Sequence, residues 1–334
     1  MGLDSAQYPW HQQQWQQIGA MIAQGRLPHA LMIGGLAGLG KLAFAQRLAG
    51  LLLCQRPAVG DACGQCKPCL LMAANSHPDY KLLQAEEAGK AILVDQVRKL
   101  QVTLANTAQQ GGARVVVINA ATQLNLNAAN ALLKQLEEPG DNCYFLLLHQ
   151  WPKPVLPTVR SRCQMLDMAM PGKSQALEWL QQHMDDAAAI QVLPLAKGAP
   201  LQALALYQNK AHELRHQMLV QLTAILRGQK SSVEVAQSWQ KLPLIQAFTW
   251  WLEWLNDLVK LKLTEDVSCL ANADLEKLLQ AVAKRSDIAA IYELLDQVTL
   301  QLNYLHQRRN LNPQLVCEEL LNGWYLLVRS GKLK

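Results

Sequence analysis

The pattern of hydrophobic and polar positions changes character about halfway along the chain. Before that point, short apolar runs alternate with segments of helical period, the first of which places Trp15, Ile18 and Ile22 on one face. The apolar runs predict four buried strands, at residues 30–33, 77–84, 114–119 and 143–150. Because strands that are almost wholly apolar and alternate with helices are typical of a parallel sheet covered on both faces, we expect an α/β fold here.

The second half of the pattern indicates helices and no strand. Composition shifts at residues 168–171, and Gly198-Ala199-Pro200 interrupts the short helices that follow. Longer amphipathic segments, such as residues 248–263 and 291–307, come later in the chain. We therefore predict three domains: an α/β domain at 1–168, a small helical domain at 169–209 and a larger helical domain at 210–334.

Length and composition agree with an ordinary multidomain globular protein. The chain has 334 residues, of which 50% are hydrophobic and 17% charged, and this balance excludes an intrinsically disordered chain. The formal net charge of +5 comes from scattered lysines and arginines, so charge alone does not indicate a nucleic-acid-binding protein. The first residues lack an apolar signal segment, and no apolar run reaches the roughly 18 residues of a membrane span. We therefore expect a cytoplasmic protein.

A glycine-rich turn follows the first predicted strand. Its sequence, GLAGLGKL, matches the phosphate-loop pattern G-x-x-x-x-G-K but continues with leucine. Backbone N–H groups around Gly35, Gly38 and Gly40, together with Lys41, are the groups that such a loop uses to bind phosphate oxygens. A serine or threonine hydroxyl normally holds Mg²⁺ at the next position, and Leu42 has none. The alternative is a tight turn that binds no ligand.

The end of the third predicted strand lacks the other catalytic groups of such a site. A hydrolysing NTPase has an aspartate for Mg²⁺ and commonly a glutamate for water activation here, whereas this chain has Asn119, Ala120 and Ala121. Loss of the hydroxyl, the carboxylate and the base together predicts that this chain does not hydrolyse ATP. It leaves open whether the degenerate loop still binds nucleotide.

Four cysteines form a closely spaced group. Cys54, Cys63, Cys66 and Cys69 have the spacing C-x8-C-x2-C-x2-C, and four thiolates complete a tetrahedral Zn²⁺ site without an open position. The alternatives are free buried cysteines or a redox pair, but a redox motif needs only two cysteines. We predict a structural zinc knuckle as an insertion at residues 54–69.

An arginine-containing segment, TVRSRC at residues 158–163, follows a proline-rich connection. An arginine on a rigid edge loop can reach into an adjacent subunit and stabilise charge that develops on its γ-phosphate. Most surface arginines are instead ion-paired or solvated, and these residues alone favour that ordinary role.

The predicted helix before the fourth strand ends in LLKQLEEP, at residues 132–139. Its leucines, at helical spacing, would pack on the sheet, while Glu137 and Glu138 face outward. The pattern gives neither glutamate a catalytic role.

Taken in order, these motifs resemble the clamp-loader subunits of bacterial DNA polymerase III, which belong to the AAA+ superfamily. The motifs that carry the resemblance are HALMIGGLAGLGK, the four-cysteine insertion, SHPDY, NAANALLKQLEEP and SRC. The family's catalytic gamma/tau subunits have threonine after the loop lysine and Asp-Glu after the third strand, where this chain has Leu42 and Asn119-Ala120. The delta subunit lacks the cysteines and the SRC triplet. The sequence therefore resembles the remaining, non-hydrolysing member of the family.

The resemblance implies a fold and a role. The fold would be a RecA-like AAA+ domain, a small helical lid domain and a helical collar domain that joins five subunits into a ring. Arg162 would complete the ATP site of a neighbouring gamma/tau subunit, with Ser161 and Cys163 flanking it and Arg160 as the alternative arginine. The partners would be the gamma/tau and delta subunits and, through the assembly, the sliding clamp and primer-template DNA.

Two questions stay open at this level. Trp250, Trp251 and Trp254 fit a subunit interface and an intramolecular core about equally well. Two other functions also compete: an active AAA+ ATPase of the gamma/tau type, or a zinc-stapled nucleic-acid-binding module. Hydrolysis of ATP by the isolated chain would indicate the first, and DNA affinity that falls steeply with salt would indicate the second.

Overall fold

The computed structural model describes residues 7–58, 60–87, 90–104, 108–110, 112–307 and 309–329. The chain divides into two compact units, Met1–Asn209 and Lys210–Lys334. The predicted domain limits at residues 1 and 334, and residue 59 of the predicted cysteine insertion, lie outside the described residues. The division of the first unit at residue 168 stays a prediction.

A parallel sheet forms the centre of the first unit. In the described part of the chain it has five strands: β1 (Ala30–Gly35), β2 (Tyr80–Leu83), β3 (Arg114–Ile118), β4 (Cys143–Gln150) and β5 (Gln164–Asp167). Their order is β2-β3-β4-β1-β5, and all neighbouring pairs are parallel. Every residue of β1 is buried, as expected of a central strand with both faces covered. The predicted α/β fold with a parallel sheet is therefore confirmed.

The edge strand β5 is absent from the sequence prediction, because only Met165 and Leu166 of its four residues are apolar. It pairs with β1 from Leu31 opposite Gln164 to Gly34 opposite Asp167. This pairing brings the TVRSRC segment, which directly precedes β5, to one edge of the sheet.

Helices cover both faces of the sheet. Those of the first unit are α1 (Gln12–Ala23), α2 (Lys41–Leu53), α3 (Lys67–Ala73), α4 (Val94–Leu104), α5 (Leu126–Glu137), α6 (Pro157–Arg160), α7 (Lys173–Gln181), α8 (Asp186–Leu195) and α9 (Pro200–Gln208). Alternate residues of β1 join two separate cores, Leu31 with Phe44 of α2 on one face and Met32 with Leu132 of α5 on the other. The Asn125 side chain caps α5 by accepting from the N–H of Ala128 at 2.7 Å.

In its described residues the second unit has helices joined by short connections, and no strand. Its helices are α10 (Ala211–Leu226), α11 (Ser232–Trp239), α12 (Leu244–Thr264), α13 (Glu276–Ala283), α14 (Ile288–His306) and α15 (Pro313–Arg329). Trp250, Trp251 and Trp254 of α12 are 3%, 0% and 1% exposed. The Trp251 ring packs edge to face against Trp239 and Trp324, at centroid distances of 5.1 and 6.2 Å. Of the two interpretations of these tryptophans, the structure supports the intramolecular core.

No single helix among the described residues has the length and apolar composition to cross a membrane. Within the described part of the chain, one pair of helices, α8 and α9, passes that test when taken together, and the two are bent by 112° where they meet.

Candidate nucleotide loop, metal centre and arginine motif

The glycine-rich turn lies between β1 and α2, as a phosphate loop requires. Gly38 and Gly40 both have a φ of +77°, in the left-handed region that favours glycine. Both also lie close to other groups. A Cβ atom on Gly38 would lie 2.6 Å from the backbone nitrogen of Gln202, and one on Gly40 would lie 2.6 Å from a ring carbon of Tyr8. The loop is thus packed by α9 and by the segment that precedes α1.

The loop lysine is bound by its own loop. Lys41 Nζ donates to the carbonyl oxygens of Gly35 at 2.9 Å and of Leu36 at 2.5 Å. Burial lowers the pKa of the Lys41 ammonium to about 8. To reach a bound phosphate, this ammonium would have to exchange its hydrogen bonds to the loop carbonyls for the phosphate oxygens.

Aromatic side chains from outside the loop also hold it. Trp10 Nε1 and His11 Nε2 both donate to the carbonyl oxygen of Leu39, at 3.0 and 2.6 Å. Trp10 packs edge to face against Trp179 of α7, and Tyr8 stacks on Trp10. Burial lowers the pKa of His11 to about 4, with a smaller lowering from the nearby Arg47 cation, so His11 is neutral near pH 7. The sequence prediction missed this cluster, although Tyr8 and Trp10 directly before a predicted helix were a signal for it.

The end of β3 offers no carboxylate. The Asn119 amide donates to Gln84 Oε1 at 3.2 Å, Ala120 has a φ of +65°, and Ala121 is buried. A Mg²⁺ ion needs oxygen ligands and a hydrolytic water needs a base, and these side chains supply neither function well. Leu42, which follows the loop lysine, has no hydroxyl group either.

The four cysteines of the predicted knuckle converge on one point. Their Sγ atoms all lie within 4.8 Å of one another, and individual Sγ–Sγ distances are 3.8 Å for Cys54–Cys66, 4.0 Å for Cys63–Cys69 and 3.4 Å for Cys66–Cys69. A tetrahedral zinc site with Zn–S bonds of about 2.3 Å needs sulfur atoms about 3.8 Å apart. The donor set and its spacing therefore fit a closed, structural zinc site.

Backbone N–H groups donate to cysteine sulfur atoms of this cluster. The N–H groups of Cys63 and Arg56 donate to Cys54 Sγ at 3.3 and 3.4 Å. Backbone hydrogen bonds from Gln65 and Cys66 lower the pKa of Cys63 to about 6. Because the thiolate is the form that binds metal, these bonds favour metal binding at Cys63, whereas burial raises the pKa of Cys69 to about 12.

The knuckle is also tied to α2. Arg47 of α2 donates through Nε to Asp61 Oδ2 at 3.0 Å and forms an ion pair with the same carboxylate. The Arg47 guanidinium lies over the ring of Trp15 of α1, 3.7 Å from its centroid. The insertion therefore contacts the helix that begins at the phosphate loop.

Arg162 lies in the short connection between α6 and β5. Its Nε donates to Oε1 of Glu137 at 2.6 Å, and Nη2 forms an ion pair with the same oxygen. Its Nη1 donates to the carbonyl oxygen of Thr158 at 2.9 Å. The Arg162 side chain is 33% exposed. The structure thus gives it a fixed orientation at the sheet edge.

The residues on either side of Arg162 differ from it in exposure and in their hydrogen bonds. Arg160 and Ser161 are exposed, and Ser161 Oγ donates to the carbonyl oxygen of Thr158 at 3.1 Å. Burial raises the pKa of the Cys163 thiol to about 11, so this thiol is protonated and unreactive near pH 7. The contact between Arg162 and Glu137 was not predicted, because it joins residues 25 positions apart that no local sequence pattern relates.

Comparisons with known proteins agree on one family. The family model described as DNA polymerase III, delta subunit, matches residues 10–171, and the model of the C-terminal region of that subunit matches residues 209–325. The DNA polymerase III subunit delta' of Pseudomonas aeruginosa is 39% identical over 327 residues, which cover 97% of this chain and 99% of that protein. The subunit delta' of Escherichia coli is 33% identical over 319 residues, 94% of each chain.

A solved structure covers most of the chain. A DNA polymerase III gamma subunit-related protein from Thermotoga maritima aligns with 95% of this chain and 100% of its own, at 14% identity and a TM-score of 0.45.

Proposed function

Because this chain belongs to the family of DNA polymerase III delta' subunits, we propose that it serves in a clamp loader as a subunit that does not hydrolyse ATP and that supplies Arg162 to the ATP site of a neighbouring subunit. The parallel sheet and the helical region that follows it agree with the RecA-like AAA+ fold that the sequence resemblance implies. The order of the motifs along the chain implies the same role.

The observation that carries the proposal is the state of the chain's own phosphate loop. Lys41 is hydrogen-bonded to the carbonyl oxygens of Gly35 and Leu36, and Leu42, Asn119 and Ala120 replace the groups that bind Mg²⁺ and activate water. A subunit with such a loop contributes to hydrolysis only through a neighbour's nucleotide. Arg162 is the residue that we assign to this contact, since it is oriented by neighbouring groups and still partly exposed.

The partners follow from the family. They are gamma/tau and delta subunits in a five-membered ring, with the sliding clamp and primer-template DNA contacted through the assembly. Zinc bound by Cys54, Cys63, Cys66 and Cys69 would hold the knuckle together and take no part in the chemistry.

The test is the ATPase rate of a reconstituted loader that contains this chain, stimulated by the clamp and primed DNA. An arginine finger is worth about 10³–10⁵-fold in rate at the site that it completes. Because only one of several sites would lose its finger, we expect Arg162→Ala to lower the total rate by a clear fraction while the ring still assembles.

Arg160→Ala is the matched control, since Arg160 lies two residues away and is exposed. We expect it to leave the rate unchanged. If Arg162→Ala has no effect in an intact complex, Arg162 takes no part in hydrolysis; if Arg160→Ala lowers the rate instead, the finger is Arg160.

A further inference from the structure

The ion pair with Glu137 determines which N–H groups of Arg162 are left to bind a ligand on a neighbouring subunit. Arginine carries five N–H donors. Three of them are engaged here: Nε and one Nη2 hydrogen with Glu137, and one Nη1 hydrogen with the Thr158 carbonyl at 2.9 Å. The contact from Nη1 to Ser161 Oγ, at 3.5 Å, is at the outer limit for a hydrogen bond. One N–H on each terminal nitrogen is therefore left for an oxygen-rich ligand.

Both ends of this ion pair are held by rigid elements. Glu137 is the last residue of α5. The residue before it, Leu136, is 1% exposed, and its carbonyl oxygen forms a hydrogen bond with His29 Nε2 at 2.9 Å. On the other side, Val159 of α6 is also 1% exposed, and Pro157 begins that helix. Glu137 therefore lies at the end of one packed helix and Arg162 lies two residues after the end of another, which limits the range of positions that Arg162 samples.

The pair contributes little to stability. The side chains of Arg162 and Glu137 are 33% and 48% exposed, and ion pairs at such positions are weak because water and salt screen them. Its geometry is nevertheless specific, since Nε and Nη2 both lie against one carboxylate oxygen. An ion pair that fixes the direction of the guanidinium group and adds little stability is suited to orienting the Arg162 side chain.

The geometry points to Glu137 as a positioning residue for Arg162. Its carboxylate holds the Nε side of the guanidinium and leaves the terminal N–H groups for the phosphate oxygens of a nucleotide bound to the adjacent subunit. This inference rests on the proposed function of Arg162. It also assigns a role to the LEEP segment, in which the pattern alone gives Glu137 none.

The test uses a reconstituted loader whose ATPase subunits carry alanine at their own finger arginine. The only site that then hydrolyses ATP at speed is the one that Arg162 completes. We expect Glu137→Ala to lower kcat by about 10- to 100-fold, the size of effect that a misplaced catalytic group produces, with little change in KM for ATP. Glu137→Gln keeps an acceptor oxygen, so it should restore part of the rate. Glu138→Ala, one residue along, is the control and should leave kcat unchanged.

A double variant separates positioning from other effects. If Glu137 acts only through Arg162, adding Glu137→Ala to Arg162→Ala lowers kcat no further. A further fall, or an unchanged or increased kcat in Glu137→Ala alone, would overturn the inference. Thermal unfolding and gel filtration check that each variant folds and assembles, and Glu137→Gln serves if the alanine variant does not. An unchanged kcat in Arg162→Ala would instead refute the proposed function itself.

Discussion

At the scale of single residues, the second unit depends on a buried carboxylate that no motif indicates. Asp257 of α12 is fully buried and accepts from the backbone N–H groups of Ala271 and Asn272, at 3.1 and 2.9 Å, and from Lys260 Nζ at 2.9 Å. Asn272 also accepts from Arg215 of α10 at 3.0 Å. The network joins α10 and α12 to the segment before α13, and its acceptors are matched to donors throughout.

Replacing Asp257 by asparagine should disrupt this network. The amide has the same shape but turns one acceptor into a donor, which would face a backbone N–H group in a buried site. We expect the free energy of unfolding at pH 7 to fall by about 3 kcal/mol, the cost of breaking a buried charged network. Urea unfolding followed by circular dichroism measures it. Asp296→Asn, at an exposed position of α14, should change the same quantity by less than about 0.5 kcal/mol.

The stability difference between wild type and Asp257→Asn should decrease at low pH. Burial raises the pKa of the Asp257 carboxyl, but hydrogen bonds from Asn272, Lys260 and Ala271 outweigh burial and hold the pKa below its ordinary value of 3.8. Its stabilising contribution is therefore complete above the unfolded-state pKa and is lost as pH falls through the lower folded-state value. The difference between wild type and Asp257→Asn should shrink below about pH 4, and a difference that stayed constant there would contradict this assignment.

The same scale shows why the sequence predicts some site residues and not others. Arg162 belongs to one of the short motifs that, taken in order, resemble those of clamp-loader subunits, so the sequence alone identifies it as a candidate. Its partner Glu137 cannot, because their contact depends on where α5 ends and on how β5 pairs with β1. For the same reason, the bonds from Trp10 and His11 to the Leu39 carbonyl join residues that no periodicity relates.

At the scale of helices and strands, the sequence predicts those elements whose apolar pattern is long and regular. Strands β3 and β4 are long apolar runs in the middle of the sheet, and their pattern predicts them directly. The edge strand β5 is short and half polar, because an edge strand buries less of its surface. The helices α12 and α14 are likewise predicted by amphipathic periods, whereas contacts between elements are not encoded locally.

The cysteine knuckle should bind a zinc ion. With four sulfur ligands, we expect a zinc content of about one per chain in the purified protein. Cys66→Ser should lose most of this zinc, because three thiolates and a hydroxyl hold zinc far less well. It should also speed proteolysis between Cys54 and Cys69, since the segment would lose its cross-link while the ion pair of Arg47 with Asp61 stays.

Elemental analysis and limited proteolysis provide the two measurements. Cys269→Ser is the control, because Cys269 lies outside the cluster and donates to the Asp266 carbonyl oxygen at 2.8 Å. Equal zinc content in the two variants would mean that Cys66 is not a ligand.

At the scale of the whole molecule, each unit has a core of its own. The first is built on the sheet, and the second on interlocked tryptophans, with Trp239, Trp251 and Trp324 all at most 1% exposed. A unit with a closed core of this kind is of ordinary domain size and should fold without the rest of the chain. The proposed function gives the two units separate roles, because the first carries Arg162 and the second is the predicted collar. Independent folding of each unit agrees with these roles.

Because the two cores are separate, the second unit should fold when it is produced alone. Residues 210–334 produced alone should unfold in a single cooperative transition and show the near-ultraviolet circular dichroism of packed tryptophans. Within this fragment, Trp251→Ala should lower the free energy of unfolding by about 3–5 kcal/mol, because it opens a cavity among rings that nothing else fills. Leu263→Ala, on the same helix but 64% exposed, should have little effect. A fragment without a cooperative transition would mean that the second unit depends on the first for its fold, and that the collar is not an independent domain.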